Sequence, residues 1–100
     1  MTLVTAIAEQ APGSVVFSVL DNDVHKQPVG WQMNHTVNDV NSAPLTKSNT
    51  ALSFTERPDG SWIATASFSY NVPVGSLAFA QVVDDRGRPV SGGSFSYTTE

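Results

Sequence analysis

The sequence contains no cysteine. Disulfides and thiolate chemistry are excluded, and the redox compartment cannot be read from cysteine usage. Charge is scarce as well: 14% of residues are Asp, Glu, Lys or Arg, against about a quarter in an average soluble domain. Basic residues are the rarest of these, five against nine acidic, for a formal net charge of −4. That balance argues against nucleic acid as a partner, because phosphates call for clustered Lys and Arg. No apolar run approaches the ~20 residues of a membrane span, so no membrane partner is expected. The first residues lack the basic stretch that opens a signal peptide. No long i, i+3, i+4 apolar stripe appears, so helix is not expected.

What is present is regular punctuation. Prolines fall at 12, 28, 44, 58, 73 and 89, always 14 to 16 residues apart. Five have a glycine within two residues: Gly13, Gly30, Gly60, Gly75 and Gly87. Pro cannot donate to a sheet ladder, and Pro with Gly marks turns. Six marks divide one 100-residue domain into seven segments, all expected to be strands. Residues 3–8 form a short apolar strand. The second, 14–20, puts Val15, Phe17 and Val19 on one face. The third, 29–37, turns Trp31, Met33 and Val37 inward, with His35 in the same register. Residues 38–49 read as the longest connection. The fourth strand, 50–55, buries Leu52 and Phe54. The fifth, 61–70, sets Trp62, Ala64, Ala66, Phe68 and Tyr70 on one side. The sixth, 77–83, is nearly all apolar, which predicts burial on both faces. In the seventh, 90–98, Phe95 and Tyr97 share a face. Ser67-Phe68-Ser69-Tyr70 recurs as Ser94-Phe95-Ser96-Tyr97, which reads as two strands solving one packing problem.

Seven short strands with a Trp on the third fit an all-β, antiparallel seven-strand immunoglobulin-like (Ig-like) β-sandwich. Two motifs carry a resemblance. Asp84-Asp85-Arg86-Gly87-Arg88-Pro89-Val90 is similar to a D-x-x-G-x-P-V hairpin of bacterial Ig-like modules, and Asp59-Gly60-Ser61-Trp62 to their D-G-S-W strand opening. The resemblance spans residues 59–97 and rests on turn chemistry. It implies an Ig-like fold, and by fold analogy a place outside the cell or in a virion.

Candidate chemistry is thin. His35 shares parity with Trp31 and Met33, which favours a hydrogen-bonded core histidine over a ligand or base. Asp21, Asp23 and His25 lie within five residues and are the weak metal candidates; calcium is the best match to their oxygens. Otherwise no cofactor is expected. No G-x-S-x-G elbow supports nucleophilic catalysis. Asp84 and Asp85 are adjacent, hence expected to cap a hairpin rather than act as a pair. Trp31 and Trp62 fit core packing better than sugar stacking, since each is in phase with apolar neighbours. Tyr70 and Tyr97, read as lying near strand ends, are expected to be partly exposed.

One grouping survives. In an antiparallel seven-strand sandwich the second, fourth and sixth connections share an end. Residues 21–28, 56–60 and 84–89 hold ten of the fourteen charged residues. The expected binding set is therefore Asp21, Asp23, His25, Glu56, Arg57, Asp59, Asp84, Asp85, Arg86 and Arg88. Loops at one end of such a sandwich commonly carry recognition. The leading expectation is a non-catalytic binding or adhesion module for a protein or glycan partner. The alternative is a structural subunit, homo-oligomeric through strand edges, as in a virion or surface fibre. A small metal-dependent or hydrolytic enzyme ranks third.

Overall fold

The computed structural model describes residues 3–22, 30–41 and 44–100, with the side chains of 45–48 set aside. Alternation of Val, Phe and Ala with Ser and Thr produces strands throughout, as the period of two requires. There are eight among the described residues: β1 (Val4–Ala11), β2 (Ser14–Asp21), β3 (Gln32–Asn38), β4 (Pro44–Ala51), β5 (Ser53–Glu56), β6 (Trp62–Ser69), β7 (Leu77–Val83) and β8 (Pro89–Thr98). They form two four-stranded antiparallel sheets, in the orders β1-β2-β6-β5 and β4-β3-β7-β8.

The count of seven is corrected to eight at one place. Much of the expected 38–49 connection is β4, and the expected fourth strand divides at Leu52. Leu52 is buried, and its amide reaches the Trp31 carbonyl as the chain passes from one sheet to the other. One leucine in a short alternating stretch carries no sign that the strand changes sheets there.

The core lies between the sheets. Val15, Phe17 and Val19 of β2 meet Ala64, Ala66 and Phe68 of β6, and Met33, His35 and Val37 of β3 meet Ala78, Ala80 and Val82 of β7. Register explains how the rings fit. Phe17 stands opposite Ala66, His35 and Phe95 opposite Ala80, and Tyr97 opposite Ala78. Each large ring thus has a small cross-strand neighbour, and close packing follows. Phe17 sits at the middle, with ring centroids of Phe95 at 4.5 Å, Phe68 at 5.5 Å, His35 at 5.6 Å and Tyr97 at 5.8 Å.

Three further expectations change. Trp31 precedes β3 and is half-buried, packing beside Phe54 at the rim with centroids 6.3 Å apart. The β3 position in the middle of the core belongs to His35 instead. Strand β7 is exposed along much of one face, at Leu77 and Phe79, although Val83 at its end is buried; an apolar run cannot by itself distinguish one buried face from two. Tyr70 and Tyr97 are both buried, each at 8% exposure. Tyr97 lies inside β8, and Tyr70 follows β6 with its amide bonded to the Gly13 carbonyl.

Candidate functional site

Register places the charged connections together. Leu20 pairs with Ile63 and Glu56 with Trp62 at one end of the first sheet. Gln32 pairs with Val83, and Val83 with Pro89, at one end of the second. The Asn22 amide bonds to the Leu3 carbonyl and the Leu3 amide to the Ser91 carbonyl, joining these two ends. The β2–β3, β5–β6 and β7–β8 connections therefore leave the sandwich at the same end. Gly30 adds a direct contact: a Cβ there would collide with Asp85 Cβ. Only a residue without a side chain lets the end of the β2–β3 connection approach the β7–β8 turn this closely.

The two described hairpins share one design. In the β5–β6 loop the Arg57 amide donates to the Ser61 carbonyl at 2.8 Å, and the Gly60 amide to the Arg57 carbonyl at 2.9 Å. In the β7–β8 loop the Asp84 amide donates to the Arg88 carbonyl at 2.8 Å, and the Gly87 amide to the Asp84 carbonyl at 3.1 Å. This is a tight turn followed by a left-handed residue, with φ of 87° at Gly60 and 78° at Gly87. A Cβ would strain both positions, so Asp-Gly and Arg-Gly at these points are turn chemistry.

Each loop carries an aspartate turned to internal use. Asp59 Oδ1 accepts from the Ser61 amide at 2.9 Å and from the Ser61 hydroxyl. These bonds, the hydroxyl's foremost, hold the Asp59 carboxyl below its ordinary range. Asp84 Oδ1 accepts from the Arg86 amide at 2.8 Å and the Arg88 amide at 2.9 Å, while Oδ2 meets Arg88 Nε at 3.0 Å. The Arg88 amide leads in lowering the Asp84 carboxyl, and partial desolvation opposes it. The expected capping role of Asp84 is thus present. Asp59, Asp84 and Arg88 shape their loops, whereas Glu56, Arg57, Asp85 and Arg86 are exposed on them.

Asp21 is buried at the end of β2, opposite Val4, and is engaged there. Asp23 and His25 lie outside the described residues, so the Asp21, Asp23 and His25 grouping is not placed as a whole. Among the described residues no cluster of three or more His, Cys, Asp or Glu is arranged to hold a metal ion.

His35 is far from this end in character. It is 1% exposed, its Nε2 hydrogen-bonds the Tyr97 hydroxyl, and its ring lies nearly parallel to that of Tyr97. Burial lowers the His35 pKa, favouring the neutral imidazole. The core reading of His35 followed from parity. The pairing with Tyr97, 62 residues away, did not, because no local pattern links them. No family model, curated protein or solved structure matches the chain.

Proposed function

We propose that the chain is a non-catalytic binding module of Ig-like architecture, reading a polar or charged partner through its loop end. One observation carries this reading: three connections emerge at one end, and two of them are internally locked hairpins that leave Glu56, Arg57, Asp85 and Arg86 exposed. Rigid loops lose little conformational entropy on binding, so their exposed charges are well suited to recognition. The strand order supports the Ig-like assignment. A sheet of β1-β2-β6-β5 over one of β4-β3-β7-β8 matches the four-strand sheet of constant-type Ig domains facing a GFC sheet extended by one strand. The motifs at 59–62 and 84–90 agree with it. A combined array of proteins and glycans, probed with wild type and with Arg57→Glu/Arg86→Glu, tests the reading. The expected result is a ligand that the double variant loses. A ligand bound equally well by both would move the site elsewhere.

A second reading, a structural subunit assembling through strand edges, is favoured by β4. This eight-residue strand pairs only with β3 among the described strands, leaving one side of its backbone open to another strand. Mass measured against concentration by light scattering separates the two: a monomer over the working range counts against assembly.

A further inference from the structure

One buried ionisable pair stands apart from the loop end. His35 of β3 and Tyr97 of β8 lie across β7 from one another, and their rings are set into the layer between the sheets. Phe68 of β6 packs 4.5 Å from the imidazole centroid and Phe17 of β2 5.6 Å from it. We propose that His35 and Tyr97 form an acid-sensitive latch on the inner face of one sheet, tying β3 to β8 across β7 and packing on Phe17 and Phe68 of the other sheet at neutral pH, and weakening the fold in mild acid.

The chemistry is a matter of donors and charge. A neutral imidazole has one donor and one acceptor nitrogen, and a tyrosine hydroxyl can match either. A second proton makes both nitrogens donors and places a positive charge among phenyl rings. Burying a charge without an opposite one is costly, and ring attraction to a cation recovers only part of that cost. Among the described residues the surroundings supply no opposite charge. From β2 the imidazole meets Phe17, from β6 Phe68, and in register it stands opposite Ala80 of β7 and Ser48 of β4. The titratable group in contact is Tyr97 of β8, with Tyr70 beyond it. Burial, and then Tyr70, keep the Tyr97 phenol protonated, so it offers no anion. Asp21, at the end of β2, is the buried carboxylate among the described residues, four positions along from Phe17. No described carboxylate faces the ring.

The sign follows from linkage. The folded chain holds His35 neutral to lower pH than the unfolded chain does, so below the ordinary value near 6.5 the unfolded state binds the extra proton. Stability is complete above that pH and declines as pH falls toward the lower folded value. Over this window the unfolding constant should rise about tenfold per pH unit.

Denaturant unfolding of the whole chain at steps from about pH 7.5 to about pH 4.5 tests the latch. Wild type and His25→Gln should show the slope, and His35→Gln, which keeps a hydrogen-bonding amide without the titration, should be flat. A flat wild type, a sloping His35→Gln, or a slope lost in His25→Gln would each overturn the proposal. Should His35→Gln fail to fold, the imidazole can be titrated by NMR in His25→Gln, where it is the sole histidine. Resonances unchanged until well below pH 6.5 are expected; protonation at or above that ordinary value sinks the latch.

Discussion

At the end of the sandwich away from the charged loops, Ser76 and Thr99 are buried and uncharged. Their hydrogen bonds span the chain: the Ser76 amide donates to Thr99 Oγ1 at 3.0 Å, and that hydroxyl donates to the Pro73 carbonyl 26 residues back. The Gly75 amide bonds to the Thr99 carbonyl and the Gly13 amide to the Glu100 carbonyl, so the β1–β2 turn, the β6–β7 connection and the last residues form one network. At the loop end, the bonds of Asp59 and Asp84 reach no further than four residues. The first arrangement ties distant segments together and does not titrate. The second shapes each loop by itself and leaves other charges exposed. Buried side chains thus tie distant segments at one end. At the other, the long-range ties run through the main chain of Leu3, Asn22 and Ser91, and the aspartates act within their own loops. Side-chain substitutions at the two should therefore fail in different ways.

Both ends depend on the aromatic layer between them, where the largest effect is expected. Phe17→Ala should cost about 3–5 kcal/mol in denaturant unfolding, as for a large core aromatic. Trp31→Ala, at the rim, should cost less than Phe17→Ala; the reverse order would mean that Trp31, not His35, holds the middle of the layer. Next comes the uncharged network. Thr99→Val keeps the shape but removes the hydroxyl that joins the Ser76 amide to the Pro73 carbonyl, leaving that amide its longer 3.3 Å bond to the same carbonyl, a loss of about 0.5–1.5 kcal/mol. A loss no larger than that of an exposed loop change would erase the distinction between the ends.

Acid should separate them again. Asp59 and Asp84 have folded pKa values below the ordinary 3.8. Their stabilisation is therefore full above that pH and is lost as pH falls through the lower folded values. Asp84→Asn should reduce the acid dependence below about pH 4 and leave the decline that begins near pH 6.5 unaltered. Denaturation midpoints across both ranges would check this, and a change in the upper range alone would contradict it.

The sequence made the strand faces legible because period-two alternation is local: Val15, Phe17, Val19, Ala64, Ala66 and Phe68 are buried as their parity requires. Turn chemistry was equally readable: Gly60 and Gly87, marked as turn residues by Pro58 and Pro89, both sit in turns, with positive φ. The recurrent Ser-Phe-Ser-Tyr stretches lie in different sheets, and both direct a phenylalanine at Phe17. What escaped the reading is non-local. The sheet change at Leu52, the depth of Tyr97 and the Ser76–Thr99 network each depend on which strands become neighbours. Among the site residues, adjacency marked Asp84 and Asp85 alike as hairpin caps, yet it could not divide Asp84, which bonds within its loop, from Asp85, which remains exposed, nor Asp59 from Glu56, Arg57 and Arg86.

The smallest effect on stability belongs to those exposed charges. Arg57 and Arg86 sit on loops whose hydrogen bonds use the main chain of these residues, not their guanidinium groups. Replacing both by Glu leaves the turns with all of their described bonds, so unfolding should change by no more than ~0.5 kcal/mol. The two positions change from two positive to two negative, which takes the charged set of 21–28, 56–60 and 84–89 from −2 to −6. An acidic partner recruited by the two arginines should then associate more slowly, with the difference shrinking as salt screens it. Binding kinetics at two ionic strengths would show this. Unchanged association at low salt, in a variant as stable as wild type, would mean that the loop-end arginines make no contribution to recognition.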